Sequence, residues 1–466
     1  MGKIPPDNLL KRRPSGIIFG KASGMYVVVQ PDLSCSHTLV IGGSGSGKTS
    51  SVLLDTLLAH QLNQDDLAFC MIDVKGELEE KGWYPRDENL RIFNPTKRGK
   101  GYWGFDVFYD LSEKSTPGEV LIVVRRVVFC MIQLKLESKD GFWIVSARVV
   151  VTGIWVHGWV VKGYRTLPEL ADYTLSKNLK ALINEILGET EEGSIVAKLL
   201  ASYGGENAAE ETLSSIAMNI APSMQLLATD ETLRYLFRDC GRKRMITPED
   251  LEKGISIDLQ VPEEYLQMYQ QVLSLVIGSV CTALTRRPEG SNPVVLVLDE
   301  LGRIACEGQI EGLQQVLQVG RSRGVSVLAL LQSWAALEGS YSKAQCTDML
   351  NNFAYRLILS AAPDARDTVE MAVKAFGKYT EQRRSYSRGK SASSTVSFEE
   401  KDIIWPSDLL ELPAKGKAIL LSPQGAFMIQ KLQYFRDHRL NNEALKIQEA
   451  RREGKEEECG ATPRTE

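Results

Sequence analysis

The sequence predicts an α/β fold: a mostly parallel, doubly wound sheet interrupted by an inserted all-α domain. Three observations predict it. Short apolar runs at residues 37–41, 67–72 and 293–298 stop abruptly at glycine or acid, as buried parallel strands do. Amphipathic periodicity separates the first two, which gives a strand–turn–helix–strand unit. Between residues 110 and 228 strand-like runs become few, and long segments of helical period take over.

In chain order, residues 17–29 read as a short β entry with Gly20 and Gly24 as turns. Residues 37–41 form a buried strand, and Val52, Leu53, Leu57 and Leu58 place a helix over 50–62. The run 67–72 is a second strand, ending at Asp73. Helices are expected over 118–134, 142–161, 167–187 and 208–226, the last kinked or ended by Pro222. Strand texture returns at 255–261, 293–298, 325–331, 355–360, 418–421 and 427–432, with helical patterns at 265–285 and 308–320 between them. Residues 382–397, rich in Ser, Arg and Lys, read as weakly ordered, and 441–466 as a frayed helix followed by a disordered tail. The expected organisation is a nucleotide-binding domain in two parts, 1–109 and 229–439, around an all-α domain at 110–228, with a charged tail at 440–466.

Composition narrows the function. The 466 residues carry a formal charge of −4, so a basic outer surface that wraps nucleic acid is excluded, and any DNA contact must be local or assembled from several copies. The eight cysteines form no CxxC and have mostly apolar flanks, as buried free thiols do; with four histidines and no zinc-ligand spacing, a structural zinc is not expected. The N-terminus is polar and lacks a signal peptide, and Pro6 removes a myristoylation reading of Gly2. The apolar stretch 142–161 contains Arg148 and His157. A central charge costs a spanning helix about 2.5–3.5 kcal/mol, so a buried helix is expected and the chain as given is expected to be soluble.

The chemistry is carried by Gly42-Gly43-Ser44-Gly45-Ser46-Gly47-Lys48-Thr49, a full GxxxxGK[ST] loop between an apolar strand and an amphipathic helix. Its glycines let backbone N–H groups turn inward on phosphates, and the helix N-terminus faces the same anion. Lys48 reaches the β- and γ-phosphates of a nucleotide, and Thr49 offers a hydroxyl to Mg²⁺. Asp299-Glu300 ends the apolar run 293–298: Asp299 is read as the residue holding Mg²⁺ through water, and Glu300 as the base for the attacking water. The adjacent glutamate and the absence of NKxD favour ATP over GTP. Gln332, at the end of the next strand, can sense the γ-phosphate or cap the strand. In Gly320-Arg321-Ser322-Arg323-Gly324, Arg321 is preferred over Arg323 as an arginine reaching a neighbour's ATP, the other reading being surface salt bridges. Arg383-Arg384-Ser385-Tyr386-Ser387-Arg388-Gly389-Lys390 mixes base and aromatic; it can contact a phosphate backbone or be a solvated loop.

The ordered set of motifs resembles the coupling proteins of type IV secretion and conjugation, the TraG/TraD type. Asp73-Val74-Lys75-Gly76-Glu77-Leu78 is similar to the family's D-x-K-G-E-L, with Val74 where proline is common. Phe142-Trp143 is similar to its Phe-Trp signature, and Leu298–Gly302, Gly320–Gly324 and Leu331–Ser333 follow its order over roughly residues 16–439. The resemblance implies a RecA-like domain, ATP and Mg²⁺ as ligands, a homohexameric ring, and a place at the cytoplasmic face of the bacterial inner membrane. It also implies cargo, either a relaxase-bound single DNA strand or secreted proteins, passed to other type IV secretion components. Two departures stand out. The family's leading transmembrane helices are not in this sequence, so membrane contact would come from a partner or a missing N-terminal segment. The second Asn-Pro expected after Asn94-Pro95 is replaced by Gly104-Phe105-Asp106. The expected function is therefore an ATP-driven coupling protein. The alternatives are a nucleotide-gated docking platform that hardly translocates and a double-stranded DNA pump of the FtsK type; the latter fits poorly with the α-helical insertion.

Overall fold

The computed structural model describes residues 4–30, 36–63, 67–74, 78, 89–99, 101–133, 141–205, 209–238, 244–305, 309–361, 365–387 and 393–460. The chain divides into two compact units: Met1–Asp65 with Val327–Ala336 and Leu350–Glu466, and Asp66–Ser326 with Leu337–Met349.

The first unit is built around the strand His37–Ile41, buried along its whole length. Val325–Leu331 lies parallel on one side, with Leu331 opposite Ile41, and Phe353–Ile358 lies parallel on the other. Beyond Phe353–Ile358 the sheet turns antiparallel, through Lys417–Ser422, Gly425–Gln430, Ile17–Ala22 and Met25–Val29. The α/β class is thus found, with parallel strands where the motifs lie and an antiparallel flank. The turn of the β entry falls at Ser23-Gly24, whereas Gly20 lies inside the strand Ile17–Ala22 at a shift of register. Ile358, Ile419 and Leu421 pack with Ala372, Leu409 and Leu412 from two short helices into a buried apolar cluster.

The described part of the stretch expected to be weakly ordered lies in two strands, and residues 388–392 lie outside the described residues. Lys378–Ser387 and Ser393–Asp402 pair antiparallel over ten positions. Their many Ser, Arg and Lys residues leave no apolar run or sustained apolar–polar alternation in the sequence to mark a strand, yet a pair needs only backbone partners to form its ladder. The helix expected at the start of the charged tail is found over His438–Gly460, and residues 461–466 lie outside the described residues.

The second unit contains four parallel strands in the order Val294–Leu298, Ala68–Asp73, Ser256–Gln260, Leu90–Phe93. The helices Pro117–Met131, Gly141–His157, Leu167–Leu175, Leu179–Glu189, Ile195–Leu200, Glu210–Thr229 and Glu231–Arg238 also belong to it. Capping boxes at Thr116/Glu119 and Thr166/Glu169 start two of them. The stretch expected as one helix over 167–187 is two, because Asn178 caps a new start by accepting from Lys180 N–H. Pro222 lies inside its helix, which continues to Thr229.

Gly141–Lys162 and Glu263–Arg286 are long and apolar enough to cross a membrane, but 72% of the most apolar 18-residue window in each is buried within the fold. Arg148 meets its need for a partner there by donating to Ile132 O (2.6 Å) and stacking on Phe129. Cys70, Cys130, Cys281 and Cys346 are buried free thiols, and burial pushes Cys70 up to about 12.

Candidate functional site

The glycine-rich loop belongs to the first unit. Ile41 O accepts from Leu359 N–H (2.8 Å), and Gly42 N–H donates to Leu331 O (3.0 Å), so sheet bonds hold the chain until the loop begins. Gly43 N–H donates to Ser360 Oγ (2.9 Å), and Ser46 N–H closes a turn onto Gly43 O (3.1 Å). Ser44 is exposed at its tip. Gly45 and Gly47 take φ of +73° and +84°, and alternation of such residues with right-handed ones turns successive N–H groups toward one point. Lys48 is only 6% exposed; its ammonium folds back to donate to Gly42 O at 2.8 Å. Thr49 opens the following helix with a π turn, Thr49–Leu53, which passes into the α-helix Leu54–Asn63.

A polyanion fits this loop. Ser46 Oγ and Ser51 Oγ are buried without hydrogen-bond partners, and a buried unmade hydrogen bond is costly unless a ligand supplies it. A Cβ on Gly42 would stand 2.4 Å from Ser46 Oγ, so the close turn requires glycine there. The first turn of a helix leaves N–H groups without carbonyl partners and concentrates positive potential at its start. Together these features form a cradle suited to an anion, with the Lys48 ammonium at its rim.

Gln332 is exposed and directly follows the strand whose last residue pairs with Ile41, so it starts beside Gly42. The loop and Gln332 are the expected site residues that the first unit brings together.

In the second unit, Asp299 and Glu300 are 4% and 5% exposed at the end of Val294–Leu298. Glu300 takes φ +58° and ψ +48°; with Ser23 it is one of two non-glycine residues of positive φ among the described residues. Its carbonyl accepts from Arg303 N–H (2.8 Å) at the start of the short helix Leu301–Ile304. Leu298 is opposite Ile72 and Asp73 opposite Gln260, so parallel register gathers Asp299, Asp73 and Gln260 on one edge, with Asn94 following Phe93 at the same edge. All are buried. Asp73 accepts from Leu78 N–H (2.9 Å), and Asn94 donates to Gln260 (3.3 Å), which donates to Asp258 (2.8 Å). Arg321 is exposed in the 3₁₀ turn Gly320–Arg323, whereas Arg323 donates to Arg287 O. Lys75, Gly76 and Glu77, like Arg388, Gly389 and Lys390, lie outside the described residues. Phe142 is 68% exposed, with its ring edge-on to Trp143.

Sequence reasoning missed Ser360, Lys431 and Asp55. A hydroxyl ending the apolar run 355–360 was a signal for Ser360. Lys431 donates to Ser46 O from 385 residues away, and no local pattern marks it.

A family model described as Type IV secretory system Conjugative DNA transfer matches residues 3–456. Among curated proteins, the chain is 23% identical over 457 residues to Protein VirD4 of Rhizobium rhizogenes, covering 92% of this chain and 63% of that protein. It is 22% identical to Conjugal transfer protein TraG of Rhizobium radiobacter, over 83% of this chain and 60% of that one. The chain thus spans under two thirds of the length of these relatives. Among solved structures, the bacterial conjugative coupling protein TrwBdeltaN70 in its unbound monoclinic form superposes with TM-score 0.68 at 16% identity, covering 91% of this chain and 89% of that one. The plasmid coupling protein TrwB in complex with ADP and Mg²⁺ superposes with TM-score 0.64 at 16% identity, over the same shares. VirB4 of Thermoanaerobacter pseudethanolicus gives 0.53 at 14% identity, over 90% of this chain and 96% of that one. At such identities the structural likeness establishes the fold, the TrwB-like mixed α/β arrangement.

Proposed function

This chain belongs to the family of type IV secretory system conjugative DNA transfer proteins, and from that premise we propose that it is an ATP-hydrolysing coupling protein that drives cargo into a secretion or conjugation channel. The observation that carries the reading is the anion cradle over Gly42–Thr49, with Lys48 buried at its rim.

In this reading the N–H groups of the loop and Lys48 bind the phosphates of ATP. The Thr49 hydroxyl and the Asp299 carboxylate hold Mg²⁺, which when bound offsets phosphate charge that would otherwise repel a nucleophile. Glu300 orients a water and takes its proton as the water oxygen bonds to the γ-phosphorus and the bond from that phosphorus to the leaving ADP oxygen breaks, and Gln332 holds that water in line. Arg321 of a neighbouring subunit in a homohexamer stabilises the charge that develops, worth roughly 10³–10⁵ in rate where such arginines act. The cargo is a relaxase-linked single DNA strand or a secreted protein. The workplace is the cytoplasmic face of the bacterial inner membrane, beside other type IV secretion components. Identity to relatives named for conjugal transfer supports this reading.

The test is ATP turnover and nucleotide binding for the wild type, Lys48→Ala and Glu300→Gln, with and without single- and double-stranded DNA. Lys48→Ala should lose binding, Glu300→Gln should bind and not turn over, and DNA should raise wild-type turnover. Normal turnover by Glu300→Gln would remove the assigned base. Turnover indifferent to DNA would replace the motor by a docking platform.

A further inference from the structure

Lys431 follows the strand Gly425–Gln430 and is fixed by its own N–H donating to Gly416 O at 2.9 Å. Its ammonium reaches the glycine-rich loop and donates to Ser46 O. It comes so close that a Cβ on Gly47 would lie 2.7 Å from the nitrogen. Both residues belong to the first unit.

A second lysine of the same unit shows what a structural ammonium does here. Lys21 pairs with the Asp437 carboxylate at 2.6 Å, and the two charges cancel locally. Lys431 instead spends a hydrogen bond on a neutral carbonyl. Arg436 adds like charge near it, and Asp55 is the acid that acts on it. The half-buried cation therefore leaves the loop with positive charge in addition to Lys48.

The bond has a direction. In a trans peptide the carbonyl of Ser46 and the N–H of Gly47 lie in one plane and point in opposite directions across the C–N bond. A cation on the Ser46 oxygen fixes that plane and turns the Gly47 N–H the other way. It also draws electrons toward oxygen, and so makes the N–H a stronger donor. Gly47 permits this on two counts: its φ of +84° and its lack of a Cβ where the ammonium sits.

We propose that Lys431 is a positioning residue of the nucleotide site: by holding the Ser46–Gly47 peptide from outside, it aims and strengthens a loop N–H for phosphate, and it ties the loop to the end of the strand Gly425–Gln430. The inference rests on the reading that this loop binds nucleotide. It acts on the ground-state cradle, not on the reacting atoms, so its effect falls on affinity and leaves the chemical step alone.

The experiment measures binding of Mg·ADP and of a non-hydrolysable Mg·ATP analogue, KM and kcat for ATP, and urea midpoints without nucleotide, for the wild type, Lys431→Met, Lys431→Arg and Lys48→Ala. Lys431→Met should weaken both nucleotides about five- to tenfold and raise KM alike, with kcat within about twofold, and Lys431→Arg should recover most of the affinity. Wild-type affinity in Lys431→Met, alongside lost binding in Lys48→Ala, overturns this inference and leaves the nucleotide site intact. A fall in kcat with unchanged affinity also overturns it, as does equal loss in the Met and Arg variants with a lowered urea midpoint in both, which would make Lys431 a packing residue. Absence of binding in the wild type would instead overturn the nucleotide reading itself.

Discussion

At the scale of single residues, the backbone of Glu300 is the most informative feature. A left-handed conformation costs a residue with a Cβ about 1–2 kcal/mol, and glycine escapes that cost. Glutamate at φ +58° therefore stores strain where glycine would relieve it, and such strain persists where a side chain has a task to perform. The proposed base is that side chain. The comparison that isolates the strain is Glu300→Gly against Glu300→Ala, since neither keeps the carboxylate. Glu300→Gly should be the more stable by about 0.5–1 kcal/mol in urea unfolding, after allowing for glycine's freer unfolded chain. Neither should hydrolyse ATP. Glu300→Ala the more stable by about 0.4–1 kcal/mol, the margin that glycine's freer unfolded chain sets by itself, would show that the turn carries no strain, and would remove this support for a functional Glu300. The sequence announced the acid pair but not the strain, because a run of apolar residues ending in acids says where a strand stops and nothing about the dihedral that follows.

At the scale of elements, the helix Leu54–Asn63 that carries the loop's positive end contains a buried acid. Asp55 is fully buried, and its carboxyl is pushed well above the usual carboxylate range, first by burial and then by the nearby Asp437. Asp437 itself, against the opposing pull of burial, is held below its ordinary value by hydrogen bonds from Lys21 (2.6 Å) and Tyr26 (2.7 Å). The pH dependence follows from linkage. Below about pH 4 Asp55 is neutral in both folded and unfolded chains and costs nothing. As pH rises, the unfolded chain ionises first, and the folded state loses stability until its own raised value is passed. Asp55→Asn removes that titration. Its melting temperature should match the wild type near pH 4 and exceed it increasingly toward neutral pH. A difference that stays constant with pH would show that the acid does not titrate as described. Elements were legible in the sequence where their cause is local. The loop helix and the strand Val294–Leu298 announced themselves by periodicity and by a run of one kind of residue. The pair Lys378–Ser387 and Ser393–Asp402 did not, since its sequence, rich in Ser, Arg and Lys, offers no sustained apolar alternation and only pairing creates the strands. The break at Asn178 was hidden because the apolar spacing on either side is continuous enough to read as one helix.

At the scale of the whole molecule, the question is how many chains make one active site. The exposed position of Arg321, beside an Arg323 engaged with Arg287 O, leaves the former available to a neighbour. A ring built from head-to-tail contacts gives every subunit one nucleotide loop and one arginine facing the next subunit's loop. That arrangement makes a prediction no single-chain site shares. Lys48→Ala lacks a working loop but keeps its arginine, and Arg321→Ala keeps the loop but lacks the arginine. Each alone should turn over ATP poorly, Arg321→Ala while still binding nucleotide. When the two are mixed and allowed to reassemble, a loop from one kind meets an arginine from the other. With random equal mixing about one interface in four combines both intact parts, so turnover should recover to about a quarter of the wild-type value per chain. The recovery should vanish on dilution below the concentration at which rings form, as followed by solution mass. Mixtures no more active than the average of their parts would place the arginine's contribution within one chain or remove it. Wild-type turnover by Arg321→Ala alone would remove it outright.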